Sequence, residues 1–294
     1  FGQSVTLSAD SNNPAVGRPT LNRSNTGNVS VYTRIGTDWT KPSLLSSSKR
    51  DIGDSFGHSV SLSADGNTLA IGAINEGSKA TGVNGDRNNN STPGSGAVYV
   101  FSRSGNDWDE QAYLKSSVSW EGLVFGGSIS LSGDGNTLVI GSTGFGSLSD
   151  GAVHVFSRSG STWSWQVDIQ GSNTSVRDAF GGSVSLSADG NTLAVGAIGE
   201  DSSASFGVLG AEGNNDATAA GAVYVFNRSG TSWNQVNYLK ATNSGERDFF
   251  GHSVSLSADG NVLAVGAIGE DSNATGVDGD ESDNSSSNGG AVYV

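Results

Sequence analysis

Short segments in which apolar and polar residues alternate recur along the whole chain. Residues 59–63 read Ser-Val-Ser-Leu-Ser and residues 68–72 read Thr-Leu-Ala-Ile-Gly, with Ala64-Asp65-Gly66-Asn67 between them. A period of two on both sides of Asp-Gly predicts a hairpin of strands A and B, because Asp-Gly accepts the positive φ that tight turns demand. After a loop, Ala97–Ser102 predicts strand C, with Ala97, Tyr99 and Phe101 on one face and Val98 and Val100 on the other. Both faces are apolar, as expected of a strand covered on both sides. Ser104-Gly105 then turns the chain, and Trp108–Leu114 supplies strand D.

This unit is repeated five times. Phe-Gly opens each copy at Phe1, Phe56, Phe125, Phe180 and Phe250, and a second anchor, Gly-Ala-Val-Tyr-Val or a variant, begins at Gly27, Gly96, Gly151, Gly221 and Gly290. From each anchor to the next Phe-Gly the distance is always 29 residues, whereas from Phe-Gly to the anchor it varies between 26 and 41. Every change of length therefore falls in the B–C loop. A constant frame with one variable loop means stacked copies of one supersecondary unit. Four antiparallel strands per copy make a propeller blade, so the expected fold is all-β: one propeller domain over 1–294, with blades 1–55, 56–124, 125–179, 180–249 and 250–294. Trp39, Trp108, Trp163 and Trp233 stand at one repeated position and are expected to pack rather than to bind.

Composition narrows the function classes. Gly reaches 44 residues and Pro only 4, fitting many short strands joined by turns, and the net charge of -14 opposes phosphate backbones and anionic lipid. No apolar stretch approaches the roughly 20 residues a membrane helix needs. Cys is absent, which removes disulfides and thiolate chemistry. A chain that lacks Met and opens at Phe1, inside a repeat, reads as a portion of a longer precursor.

The pairs Phe56-Gly57 with Gly72-Ala73, Phe180-Gly181 with Gly196-Ala197, and Phe250-Gly251 with Gly266-Ala267 resemble the naming elements of bacterial FG-GAP repeat proteins, relatives of the integrin α-subunit N-terminal β-propeller. Ile74, Ile198 and Ile268 replace the family's Pro, and copy three has Gly141-Ser142 instead. The resemblance implies an extracellular, integrin-like adhesion or ligand-binding propeller, secreted or on the cell surface, often with Ca2+ in a D-x-D-x-D-G loop between strands A and B. Here that link is Ala-Asp-Gly-Asn, so Asp65, Asp134, Asp189 and Asp259 are expected as turn residues, one carboxylate being too few for calcium.

The long B–C loops at 75–95, 199–220 and 269–289 are the departures that could carry function. Loop five offers Asp278, Asp280 and Asp283, and loop two Asn84, Asp86 and Asn88, with the alternating oxygens and Gly bend that suit Ca2+; the other reading is a solvated acidic loop. Loop four, with Glu212, Asn214 and Asp216, is poorer. Trp120 and Trp165 lie outside the repeated position and are candidates for stacking on sugar rings. His154 stands where other copies have Tyr99 and Tyr224 and reads as a half-buried substitute, with no local Ser or Asp motif. Arg103, Arg158 and Arg228 read as solvated turn residues. Asp109, Glu110, Glu121 and Asp168 break the repeat on or after strand D, the wrong end for a carboxylate pair at the axis, so no enzyme is expected.

Copy five reaches only strand C. It is three-stranded, or takes a strand from a neighbour by strand addition, or forms part of a longer array. The expected role is an extracellular adhesion or structural module that recognises protein or glycan through its B–C loops and self-assembles through this edge. The alternative is a sugar-binding lectin-type propeller.

Overall fold

A computed structural model describes residues 1–19, 26–49, 51–144, 150–203 and 215–294. Among the described residues twenty-one strands form: in copy one, β1 (Ser4–Leu7), β2 (Pro14–Arg18), β3 (Asn28–Val31), β4 (Arg34–Ile35), β5 (Asp38–Trp39) and β6 (Ser43–Leu45); in copy two, β7 (Phe56–Leu62), β8 (Thr68–Ala73), β9 (Ala97–Ser104) and β10 (Asp107–Leu114). Copy three holds β11 (Ser128–Leu131), β12 (Thr137–Ser142), β13 (Ala152–Ser159) and β14 (Thr162–Ile169). Copy four holds β15 (Phe180–Leu186), β16 (Thr192–Ala197), β17 (Ala222–Ser229) and β18 (Ser232–Leu239), and copy five β19 (Phe250–Leu256), β20 (Leu263–Ala267) and β21 (Ala291–Tyr293).

Each copy is one antiparallel meander in the order A-B-C-D, and the five sheets are the blades of a five-bladed β-propeller whose last blade has three strands. The A–B turns form as their residues dictate. Asp65 Oδ1 accepts from Ser63 Oγ (2.5 Å) and from the Asn67 amide (2.9 Å), closing the turn locally, and Asp10, Asp134, Asp189 and Asp259 do the same in the other copies.

The Phe-Gly pair joins blade to blade. Phe56, Phe125, Phe180 and Phe250 are buried, each with its ring against an aromatic side chain of the following strand C: Tyr99, His154, Tyr224 and Tyr293. Gly57 and its equivalents adopt φ near +90°, a region that a Cβ disfavours. Their carbonyls accept from the preceding blade's strand A: Ser4 Oγ donates to Gly57 O, Ser59 to Gly126, Ser128 to Gly181 and Ser183 to Gly251. This contact is so close that a Cβ on Gly72 would lie 2.3 Å from the Gly126 carbonyl oxygen.

Two sequence expectations change. Trp39 sits on the small β4–β5 hairpin, off the four-stranded sheet, and is exposed, whereas Trp163 is buried and Trp108 and Trp233 pack against the core. Arg103, Arg158 and Arg228 are not solvated turn residues. Each lies over the Trp of its own blade, at 6.0, 5.4 and 5.8 Å from the ring centroid, and reaches across to the preceding blade, as Arg103 Nη1 does to Asn13 Oδ1 (2.7 Å).

Candidate functional site

The B–C loops and the D–A connections lie at the same end of the blades, and in blade two they pack on one another. Gly122 N donates to Pro93 O and Val124 N to Gly94 O, while Ser119 Oγ lies 3.2 Å from Thr92 Oγ1. The connection that carries Trp120 is thereby bound to loop 75–95. Beneath them lies a buried ion pair. Lys115, directly after β10, donates from Nζ to Glu76 Oε2 and to Ser95 Oγ, both at 2.8 Å, and Glu76 Oε1 accepts from the Ser78 amide. Blade four repeats the device, with Lys240 Nζ to Glu200 Oε2 at 2.8 Å.

A third acid belongs to each cluster. Asp54, two residues before Phe56, is pushed up to about 7 by its burial and by the nearby Glu76 and Asp51 carboxylates. Asp178, two residues before Phe180, is raised to about 6, burial being the main cause and Glu200 contributing. Burial also lowers the affinity of Lys115 and Lys240 for a proton, against the pull of Glu76 and Glu200. Copy three discards the whole set: it has Leu123, Phe145 and Gln170 where copies two and four have Asp, Glu and Lys. Sequence reasoning missed these clusters, although the joint change of three positions in one copy was a readable signal.

Copy three carries a different polar core. His154, on β13, is buried rather than half-buried: its Nδ1 is 2.7 Å from Asp168 Oδ1, and its Nε2 is 2.8 Å from Ser142 Oγ. Contrary to the sequence reading, His154 therefore has both a Ser and an Asp partner, brought together from β12, β13 and β14. The order Ser–His–Asp matches a hydrolytic relay. Ser142 and His154 are nonetheless both sealed from solvent, which leaves no room for a substrate at the hydroxyl. The relay holds strands together where blades two and four use paired tyrosines, Tyr99–Tyr113 and Tyr224–Tyr238, with ring centroids 5.3 and 5.2 Å apart.

Asp168 connects this core to the surface. It accepts from Trp165 Nε1 and from Ser117 Oγ, each at 2.8 Å. Burial would raise its pKa, but the hydrogen bonds from His154, Trp165 and Ser117 outweigh it and hold the group at about 2. Ser117 lies three residues before Trp120, so the connection bearing Trp120 and the strand bearing Trp165 meet at one carboxylate. Both indoles stay open to solvent, Trp120 at 46% and Trp165 at 45% exposure. The neighbouring groove, about 350 Å³, is lined by Asp168, Gln170, Ser172, Trp233 and Gln235 among others. Elsewhere the same latch is plain: Ser48 bonds Glu110, and Ser172 bonds Gln235. Blade three replaces Glu110 and Gln235 by Trp165.

The calcium candidates are not assembled into a cage. Asn84 Oδ1 accepts the Tyr113 amide at 2.9 Å, so it holds strand D. Asp86 Oδ1 accepts from the Asn88 amide, Asp280 Oδ1 from the amide and hydroxyl of Ser282, and Asp283 Oδ1 from the Ser285 amide. Asp278 is exposed. Among the described residues no three His, Cys, Asp or Glu side chains are grouped to hold a metal. As arranged, these residues do not fit Ca2+. Glu212 and Asn214 lie outside the described residues.

Fold and site together define a repeat β-propeller in which the segments bearing two exposed indoles, Trp120 and Trp165, meet at Asp168. The FG-GAP repeat family profile matches residues 39–101 and 233–294. These two matches, together with the five blades, are consistent with an FG-GAP repeat β-propeller. No curated protein matches the sequence. Among solved structures, a putative 6-phosphogluconolactonase from Bacteroides uniformis is similar at 12% identity and a TM-score of 0.51, over 92% of this chain and 65% of that one. TolB from Acinetobacter baumannii is similar at 15% identity and a TM-score of 0.46, over 87% and 47%. The chain thus spans just under half to just under two thirds of these proteins, and the likeness concerns the fold alone.

Proposed function

We propose that this propeller is a non-enzymatic recognition module, acting in adhesion outside the cell, that holds an extracellular protein or glycan on its loop-bearing end where blades two and three meet. The observation that supports this reading is the pair Trp120 and Trp165. Both stand outside the repeat frame, both are nearly half exposed, and both are tied through Ser117 and Asp168 to a rigid base. Pre-anchored aromatic faces bind without the entropy loss of ordering a loop. Loop 75–95 adds a polar wall pinned from beneath by Lys115 and Glu76.

A lectin-type role is favoured by a second surface on the other side of Asp168, the groove between blades three and four, whose Gln170, Ser172 and Gln235 offer donors and acceptors beside Phe226 and Trp233. Hydrolysis is disfavoured by the burial of Ser142 and His154. The test is a glycan array and a panel of extracellular proteins probed with the wild-type chain and with Trp120→Ala and Trp165→Ala. Binding that falls at least about tenfold in either variant, with the melting temperature kept, supports the site; binding indifferent to both substitutions places recognition elsewhere.

A further inference from the structure

Among the described residues two lysines are buried, Lys115 and Lys240, and Lys240 has the more reactive surroundings. Its Nζ donates to Glu200 Oε2 at 2.8 Å, and the other oxygen of the same carboxylate, Oε1, accepts from Asn173 Nδ2 at 3.1 Å. One carboxylate therefore holds an amine and a carboxamide together. Asn173 Oδ1 in turn accepts from the Tyr224 hydroxyl at 2.6 Å, so its carbonyl is polarised by that donor. Three parts of blade four supply the groups: Asn173 from the connection that leads into the blade, Glu200 from its B–C loop, and Lys240 directly after β18. Lys240, Glu200 and Tyr224 are sealed from solvent, whereas Asn173 is only partly buried. The connection is pressed onto the tyrosine ring, since a Cβ on Gly171 would lie 2.6 Å from Tyr224 Cε1.

Each group has a part in making an amide. Burial lowers the affinity of Lys240 for its proton, against the pull of Glu200, and the neutral amine is the nucleophilic form. Glu200 touches both the nitrogen that must lose a proton and the nitrogen that must gain one. The Tyr224 hydroxyl points at the oxygen on which negative charge develops when the carbonyl carbon is attacked. Holding amine and amide side by side lowers the entropic barrier that keeps the two from reacting in solution.

We propose that Lys240 and Asn173 are joined by an isopeptide bond that the protein makes itself, with Glu200 carrying protons and Tyr224 stabilising the oxyanion. Glu200 takes a proton from the Lys240 ammonium. The freed Nζ lone pair bonds to Asn173 Cγ, and the carbonyl π electrons move to Oδ1. Glu200 hands its proton to Nδ2 and takes another from Nζ; the carbonyl reforms, and the Cγ–Nδ2 bond breaks with its electron pair on nitrogen. The products are one amide, one ammonia and a protonated Glu200, and no co-reactant is consumed. The bond ties the outer strand of blade four to the connection leading into that blade and constrains the unfolded chain as a disulfide would.

Blade two is the internal control. It keeps the same contact, Lys115 Nζ to Glu76 Oε2 at 2.8 Å, but has Lys49 at the position of Asn173, and Lys49 bonds Asn90 instead. Lys115 therefore has no carboxamide to attack and stays an amine. None of these contacts carries the Trp120–Trp165 surface, so failure of the cross-link leaves that reading intact.

Intact mass spectrometry of the folded chain, followed by tryptic mapping, tests the proposal. The chain is expected to be lighter than its sequence by one ammonia. Trypsin should fail to cut after Lys240 and should release residues 159–177 and 229–247 as one branched peptide, while Lys115 is cut normally. Glu200→Gln cannot carry the proton and should show the full sequence mass with cleavage after Lys240. Asn173→Asp should lose water in place of ammonia, which identifies the electrophile even where Glu200→Gln fails to fold. Full sequence mass in the wild-type chain, with cleavage after Lys240, overturns the proposal, the contact then being an ion pair only. So does an ammonia loss that maps elsewhere, as to a succinimide at Asn84-Gly85.

Discussion

Replacing Lys115 by Met removes the cation from the blade-two cluster while keeping its aliphatic volume. Glu76 would remain buried with the Ser78 amide as its direct donor and with Asp54 nearby as a second acid. Removing one partner of a buried ion pair typically costs about 3–5 kcal/mol, because the other charge is left desolvated. At roughly 2–4 °C per kcal/mol for a protein of this size, the midpoint of melting should fall by about 6–20 °C. Burial already disfavours the charged form of Lys115, so the pair as a whole contributes little. The double variant Glu76→Gln, Lys115→Met should therefore cost no more than about 1.5 kcal/mol. Urea unfolding followed by tryptophan fluorescence, run as a double-mutant cycle, measures both. A single Lys115→Met variant within about 1 kcal/mol of wild type, or a double variant as costly as the sum of the two singles, would refute the reasoning.

The buried acids also set a pH dependence. Asp54 and Asp178 are raised to about 7 and about 6 in the fold, so the stability that their protonated forms contribute is full below the unfolded carboxyl pKa and is lost as pH rises through those values. Asp54→Asn should flatten the fall in melting temperature between pH 5 and 8. Asp168, held at about 2, works in the opposite sense: its contribution is present above the unfolded pKa and disappears as pH falls toward 2, and Asp168→Asn should weaken the protein near neutrality but not in strong acid. Gly72→Ala should destabilise severely, because its Cβ meets the Gly126 carbonyl at 2.3 Å, whereas Gly266→Ala, facing only the Ser253 hydroxyl at that range, should be milder; denaturation midpoints compare the two. Adding Ca2+ or a chelator should leave the melting temperature unchanged, since the acidic loop residues bind their own backbone.

The propeller was legible because its signals are local and repeated. Asp65 and its equivalents sit in turns that their own neighbours complete, and Phe-Gly recurs at every junction. What escaped was the pairing between remote positions. Glu76 and Lys115 are 39 residues apart, on a loop and at a strand end, and nothing local in either marks it as buried. Ser142, His154 and Asp168 each looked like a single deviation from Ala or Tyr, and only their placement on adjacent strands makes them one unit. Asn84 looked like an oxygen ligand because its loop is acidic and Gly-containing; its role comes from the strand that the loop embraces. Trp120 and Trp165 were legible as candidates, since neither fits the repeat, but the carboxylate that joins their segments was not.

The proposed recognition surface is the loop-bearing end at the junction of blades two and three. Hydrogen–deuterium exchange of the chain with and without a glycan or protein taken from the binding screen tests it most directly. New protection is expected to be confined to residues 74–96, 115–125 and 165–170. Protection at the opposite end, in the C–D turns around Gly105, Gly160 and Gly230, would contradict it.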